Sequence, residues 1–138
     1  MEKQTKIIGF KIHKYEAERN PDFNGKLEMK QNMLIKSVEK HKLSTSKEEV
    51  LKVKFNFEIN YSNLGKILIE GIILVLVDAK TLKETLNEWK NKKLPKDMQI
   101  FLLNIILQRA SIKALQIEED LGLPPHFQLP SISPEREK

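Results

Sequence analysis

The sequence contains no cysteine, which excludes a disulfide framework, a thiolate zinc site and a cysteine nucleophile. It also lacks a long uninterrupted apolar run. The longest, Ile72 to Val77, is far shorter than the ~20 residues of a membrane helix. The first residues, Met1 to Lys6, include an acid and lead into no such run, so we expect no secretory signal. Together these absences favour a cytoplasmic protein without a membrane span.

Arginine is scarce, although the net charge is +5. Arg19, Arg109 and Arg136 are the arginines, and the remaining basic residues are lysines scattered along the chain, most densely at 90–96. Bidentate contacts to phosphate and guanine favour arginine. The pattern therefore disfavours specific nucleic-acid binding, and the simpler interpretation is a lysine-rich solvated surface.

A chain of 138 residues can form one domain with a real core, and 40% hydrophobic with 31% charged residues is typical of globular proteins. Apolar residues recur every second position from 6 to 77 and every three to four positions from 78 to 121. Strands followed by helices predict an α+β fold with an antiparallel sheet. We expect a single domain over 1–138, with 133–138 a disordered tail.

The strands are predicted at 7–19, about 26–39, 51–61 and 66–77. In the first strand Ile8, Phe10 and Ile12 share a face, and the alternation then shifts phase, which predicts a bulge or bend. Asp78 is placed to cap a short helix. A long helix should follow from Pro95, with Gly122 as its C-terminal stop.

The chain has more apolar surface than this fold can bury. The third strand alternates apolar and polar residues, so the second face of the sheet should be wet. Apolar residues nevertheless fall on that face from the fourth strand (Leu68, Ile72, Leu74, Leu76) and the second strand (Leu34, Val38). Since monomers seldom leave large apolar patches uncovered, we expect another molecule there, either a copy of the chain or a foreign apolar segment.

Catalysis has little support in the sequence. The histidines are His13, His41 and His126, with no ligand-type spacing between them, and no nucleophile or phosphate-loop motif is present. A three-histidine site assembled in space stays open beside the simpler interpretation of solvated or structural histidines. Glu16 and Glu18 could form a catalytic pair, but a surface charge ladder is simpler. We predict no enzyme, no catalytic or metal-binding residue and no cofactor.

The segment 121–130 follows the long helix and contains three prolines, so it should run extended. It carries the apolar side chains Leu123, Phe127 and Leu129. It can either fold back over its own subunit or line a groove for partners. Just before it, the acidic residues 118–120 lie at the negative end of the helix dipole, where we expect a lysine from elsewhere to neutralise them.

The order of elements and three segments resemble the SecB export chaperones. The proline-containing segment 121–130 is similar to the one after the last long helix of that family, and 55–61 with 65–71 resemble its central hairpin. The lysine-rich composition resembles the archaeal SecB-like type. The resemblance implies an ATP-independent holdase that is a tetramer, a dimer of dimers. It does not imply delivery to the export motor, because residues 133–138 lack the Cys and His of the export-type tail.

On this resemblance the partners are unfolded polypeptides, bound through exposed apolar surface. A structural or regulatory oligomerisation protein without clients, and a small-ligand-binding domain, are the alternatives. For each predicted client contact, ordinary core or oligomer interface is the other possibility. The predicted client-binding residues are Leu34, Val38, Leu68, Ile72, Leu74, Leu76, Trp89 and Phe127.

Overall fold

A computed structural model describes residues 5–23, 25–41 and 49–128 of the chain. The predicted α+β class is confirmed: a four-stranded antiparallel sheet is followed by a short helix and a long one. The elements are β1 (Lys6–Arg19), β2 (Lys30–His41), β3 (Glu49–Asn60), β4 (Gly65–Val77), α1 (Ala79–Trp89) and α2 (Lys96–Leu121). Leu129 and the predicted disordered tail at 133–138 lie outside the described residues.

The strand order is β1-β4-β3-β2, with every neighbouring pair antiparallel. The apolar β4 and the alternating β3 therefore form the centre of the sheet, and β1 and β2 are its edges. Odd-numbered residues of β3 and β4 point to one face, which is buried against the helices from Leu51 to Val77. The even-numbered residues point to the other face.

Gly71 leaves the helix-side face without a side chain in the middle of β4. A Cβ there would lie 2.6 Å from a ring atom of Phe55 and 2.6 Å from the carbonyl oxygen of Lys11. Glycine at this position therefore lets the Phe55 ring pack closely against β4. Phe55 also meets the Phe10 ring of β1 at a centroid distance of 5.4 Å.

Bulges shift the phase of both edge strands. In β1 the register shifts after Ile7 and again after Ile12. The second shift confirms the predicted bulge. The first removes Ile8 from the face of Phe10 and leaves it 42% exposed, so its predicted placement is wrong.

A third bulge, after Ile35 in β2, corrects another placement. Val38 was predicted on the second face of the sheet, but it pairs with Val53 on the helix side and is 5% exposed in the core. Alternation counted through the bulge puts Val38 on the wrong face, because the extra residue reverses every side chain after it.

The helices begin and end where the caps predict. The Asp78 side chain accepts a hydrogen bond from the Thr81 backbone N–H at 2.7 Å, which caps α1. Gly122, at φ 69°, adopts the left-handed conformation that ends α2, and the Leu123 amide donates to the Glu118 carbonyl at 2.9 Å. Leu123 is buried, so the chain turns back toward the core directly after the helix.

One stripe of α2 packs on the sheet, and its opposite side leaves three large apolar residues exposed among polar ones. The buried stripe is Met98, Leu102, Ile106, Ala110, Ala114, Ile117 and Glu118. Ile100, Leu107 and Ile112 are 51%, 38% and 60% exposed, and we call them the outer face of α2. Two basic residues fasten the helix across β1, with Arg109 4.8 Å from the Phe10 ring and Lys113 4.9 Å from that of Tyr15.

Among the described residues, α2 is the one helix long and apolar enough to cross a membrane by length and composition, and 28% of its most apolar stretch is buried. The sequence does not show this helix as a long apolar run, because Gln99 and Asn104 interrupt it. The core helix of a soluble protein meets the same two criteria. The absence of a membrane span therefore stays a prediction.

Candidate functional site

On the face of the sheet that the helices leave open, the even-numbered side of β4 forms a lane of four large apolar residues, with Glu70 between Leu68 and Ile72. Leu68, Ile72, Leu74 and Leu76 are all only partly buried. We call these four residues together with Leu34 the open face. Their odd-numbered neighbours, such as Ile69, Ile73 and Val75, are 0% exposed.

The lane is bordered by charged side chains that the sheet register places beside it. Ile72 lies between Lys11 of β1 and Lys54 of β3, and Leu74 lies next to Lys52. At the other end Leu68 lies between Glu16 and Glu58. The open face therefore combines large apolar side chains with charged residues at its border and, at Glu70, within it.

Leu34 joins the open face to a groove at the edge of the sheet. It is 57% exposed and pairs with Asn56, on the same side as the open face. A groove of about 400 Å³, which we call the β2 groove, opens beside it between β2 and the α1–α2 connection. Its lining residues are Met33, Leu34, Ile35, Lys36, Trp89, Lys92, Leu94, Gln99 and Leu103.

The structure thus groups six of the eight predicted client-binding residues. Five form the open face, and Trp89 lines the β2 groove with Leu34. Val38 is in the core and does not belong to either surface. Phe127, after α2, is 43% exposed and packs edge-on against the His126 ring at 4.8 Å. Whether these residues bind a client stays a prediction.

A buried polar cluster under the end of α2 was not predicted. The Glu118 carboxylate accepts a hydrogen bond from the Tyr61 hydroxyl and lies 3.0 Å from Nδ1 of His126. The Glu118 and His126 side chains are each 1% exposed, and Tyr61 is 0% exposed. Burial, with the hydrogen bond to Glu118 and its negative charge, raises the pKa of the Tyr61 hydroxyl well above its ordinary value of 10.0.

This cluster replaces the lysine that we expected near the acidic end of α2, so that expectation is wrong for Glu118. Its carboxylate is satisfied by a phenol and an imidazole, not by a surface ammonium. One signal in the sequence could have found it. Glu118 lies four residues after Ala114, in line with the buried stripe of α2, where an acid needs an internal partner.

The cluster fastens the segment after α2 to the subunit. His126 is held by Glu118 on one side, and its ring lies 5.9 Å from that of Phe57 on β3. The described part of the segment, up to Gln128, therefore folds back over its own sheet and helix. This is the first of the two alternatives given for the segment. Because both side chains are 1% exposed, a reactant could reach the Glu118–His126 pair only after this segment moved away from the helix.

The three histidines lie on separate elements. His13 is at a bulge of β1, 3.8 Å from Glu70, His41 ends β2, and His126 follows α2. Within the described ranges, no group of three or more His, Asp and Glu side chains is placed to hold a metal ion. Lys14 and Glu16 form an exposed ion pair at 3.2 Å, which suits a surface charge ladder on β1.

Comparison with solved structures identifies the architecture. The chain is similar to the SecB-like chaperone Rv1957 of Mycobacterium tuberculosis, in complex with a ChAD peptide from the Rv1956 HigA1 antitoxin, with a TM-score of 0.58. The fold is SecB-like. The two sequences are 12% identical, and the match covers 94% of this chain and 91% of the mycobacterial one. At that identity the likeness concerns the fold.

Neither of the two sequence-based comparisons adds to this result. No family model matches the chain, and no curated protein matches its sequence. The likeness to a known protein is therefore one of structure.

Proposed function

We propose that this protein is an ATP-independent, chaperone-like binder of unfolded polypeptides and that it performs no catalysis. The observation that carries the proposal is the contrast across β4. Its helix-side residues are fully buried, while Leu68, Ile72, Leu74 and Leu76 on the other side stay partly exposed. Large apolar side chains left partly exposed together on a sheet face favour a surface that binds another molecule.

The binding mechanism needs surface and no reacting group. Apolar client residues would leave water on the open face, which stabilises a complex by about 25 cal/mol per Å² before the cost of ordering the client. Many weak contacts along a lane suit a binder that must also release. The outer edge of β2, which has no described strand beside it, could add main-chain hydrogen bonds to an extended client.

The architecture supports the proposal by analogy. The mycobacterial SecB-like chaperone was solved with a bound peptide, and this chain has the same fold over nearly its whole length. On this basis we propose unfolded polypeptides as partners and a cytoplasmic location. Membership of the archaeal SecB-like type is likewise a proposal, based on the lysine-rich composition.

We also propose that the chain forms a homo-oligomer, a tetramer arranged as a dimer of dimers. The outer face of α2 supports self-association, because Ile100, Leu107 and Ile112 are large, apolar and exposed on one helix. The outer face of α2 would then form the subunit contacts, and the open face would bind clients. Sedimentation of the purified chain measures the assembly.

Two other functions stay possible alternatives in the same fold. A structural or regulatory oligomerisation protein would use both apolar surfaces for subunit contacts and bind no client. A small-ligand-binding domain is favoured by one observation, a cavity of about 280 Å³ near the beginnings of α1 and α2. The buried Thr85 hydroxyl lines this cavity and has no hydrogen-bond partner among the described residues.

Suppression of aggregation tests the proposal directly. A chemically unfolded client is diluted into buffer with and without this protein, and light scattering is followed with no nucleotide present. We expect scattering to fall in proportion to the protein added and to be abolished near one tetramer per client. Unchanged scattering at that ratio would contradict client binding and favour the oligomerisation alternative.

A further inference from the structure

The β2 groove has a charge of one sign. Among its nine described lining residues are two lysines, Lys36 and Lys92, and no acid. Within the described part of the chain neither ammonium is paired with a carboxylate, whereas Lys40 on the same strand lies 3.5 Å from Glu49. The groove therefore offers two unpaired positive charges around an apolar floor.

Lys92 is held in place by the connection between the helices. Its backbone is left-handed at φ 60°, an uncommon conformation for a residue with a side chain. Its amide donates to the Trp89 carbonyl at 2.8 Å, and the next amide, that of Lys93, donates to the Glu88 carbonyl. The turn so formed sets the Lys92 ammonium 5.1 Å from the centre of the Trp89 ring.

Lys36 reaches the groove from the opposite wall. It is the extra residue at the β2 bulge, and its side chain is exposed. β2 has β3 on one side and no described strand on the other. An extended peptide laid along that free edge would pass between Lys36 and Lys92, with alternate side chains over Leu34 and Trp89.

Protection of the sheet edge explains only part of this arrangement. Lysines on an edge strand discourage unwanted strand pairing, which accounts for Lys36. Lys92 belongs to no strand, and it approaches the groove from the α1–α2 connection. Two ammonium groups on facing walls instead favour a ligand that brings negative charge.

We propose that the β2 groove binds extended polypeptide segments in which apolar residues are flanked by acidic ones. This inference rests on the proposed function and specifies which clients the groove prefers. An exposed ion pair typically changes an affinity by about 1.4- to 5-fold. Two such pairs with an acidic segment, exchanged for two repulsions of similar size with a basic one, separate the two affinities by about 4-fold or more at low salt.

Three labelled peptides with the same apolar and aromatic residues, flanked by Glu, Ser or Lys, test the inference by fluorescence anisotropy. We expect affinity in the order Glu, Ser, Lys, with the differences shrinking at about 0.5 M salt, where screening is strong. Lys36→Glu with Lys92→Glu should reverse the order. Lys80→Glu is the matched control, because Lys80 is exposed at the other end of α1, about 13 Å along the helix from Trp89.

The outcomes separate this inference from the proposed function. If the Ser peptide binds and the Glu peptide gains nothing, the inference is overturned and client binding stands. If the Glu peptide is preferred but the double variant keeps that preference, basic residues outside the β2 groove cause it, and the assignment to the groove is overturned. If none of the three peptides binds, both proposals fail.

Discussion

Two isoleucines that are neighbours in β4 have opposite environments. Ile73 is 0% exposed beneath the helices, and Ile72 is partly exposed on the open face. Composition and strand propensity are the same for both, so the difference arises from what covers each side of the sheet. The comparison indicates that one face of β4 forms the core and that the other is left partly exposed.

The largest effect should distinguish these two neighbours. Ile73→Ala removes a buried side chain and leaves a cavity, so we expect the free energy of unfolding to fall by about 2–5 kcal/mol. Ile72→Ala should lower it by less than Ile73→Ala does, since the Ile72 side chain is partly exposed and its loss leaves no enclosed cavity. Urea denaturation followed by circular dichroism measures both. Equal losses would show that another copy of the chain already covers the open face.

The buried polar cluster belongs to the helix side of this comparison. Glu118→Ala would leave the Tyr61 hydroxyl and the His126 ring buried without their acceptor, at a cost of about 2–3 kcal/mol. Glu119→Ala is the matched control, because Glu119 is the next residue and is exposed. A similar, small change in both variants would mean that the cluster does not contribute to stability.

A smaller effect should appear at high pH. Because folding raises the pKa of Tyr61, the unfolded chain releases the phenol proton first as pH rises. The stability that this group contributes is therefore fully present below pH 10.0, its ordinary pKa, and is lost above it. In Tyr61→Phe the decline of stability above that pH should be less steep.

Tyr15→Phe serves as the control for this pH dependence, since Tyr15 is 49% exposed. Its decline of stability above pH 10 should match that of the unaltered chain. If Tyr61→Phe also matches it, the phenol proton is not linked to folding.

The fold was predictable because its signals are local. Alternation in β3, the Asp78 cap and the Gly122 stop each depend on residues a few positions apart, and all three were confirmed. The open face of β4 followed from the same alternation. Val38 and Ile8 were misplaced because a bulge inserts one residue, and sequence alternation does not show where it is inserted.

The position of Glu118 on the buried stripe signals an internal partner, but which residues meet in the polar cluster and in the groove could not be predicted, for a different reason. Tyr61 and Glu118 are 57 positions apart, and only the packing of α2 on the sheet brings them together. Likewise Leu34 and Trp89 were each predicted as contacts, but their meeting in one groove depends on where the α1–α2 connection crosses the edge of β2. Long-range juxtaposition of this kind leaves no periodic trace in the sequence.

The central claim, that the open face of β4 captures unfolded polypeptides, is tested most directly by Ile72→Asp with Leu74→Asp. Aggregation suppression and sedimentation are measured on the same samples, beside a Lys52→Asp variant that changes charge on the bordering strand without removing an apolar residue. We expect the double variant to sediment like the unaltered protein and to lose client protection, while Lys52→Asp keeps most of it. Full protection by the double variant, or its dissociation into smaller species, would contradict the assignment of this face to clients.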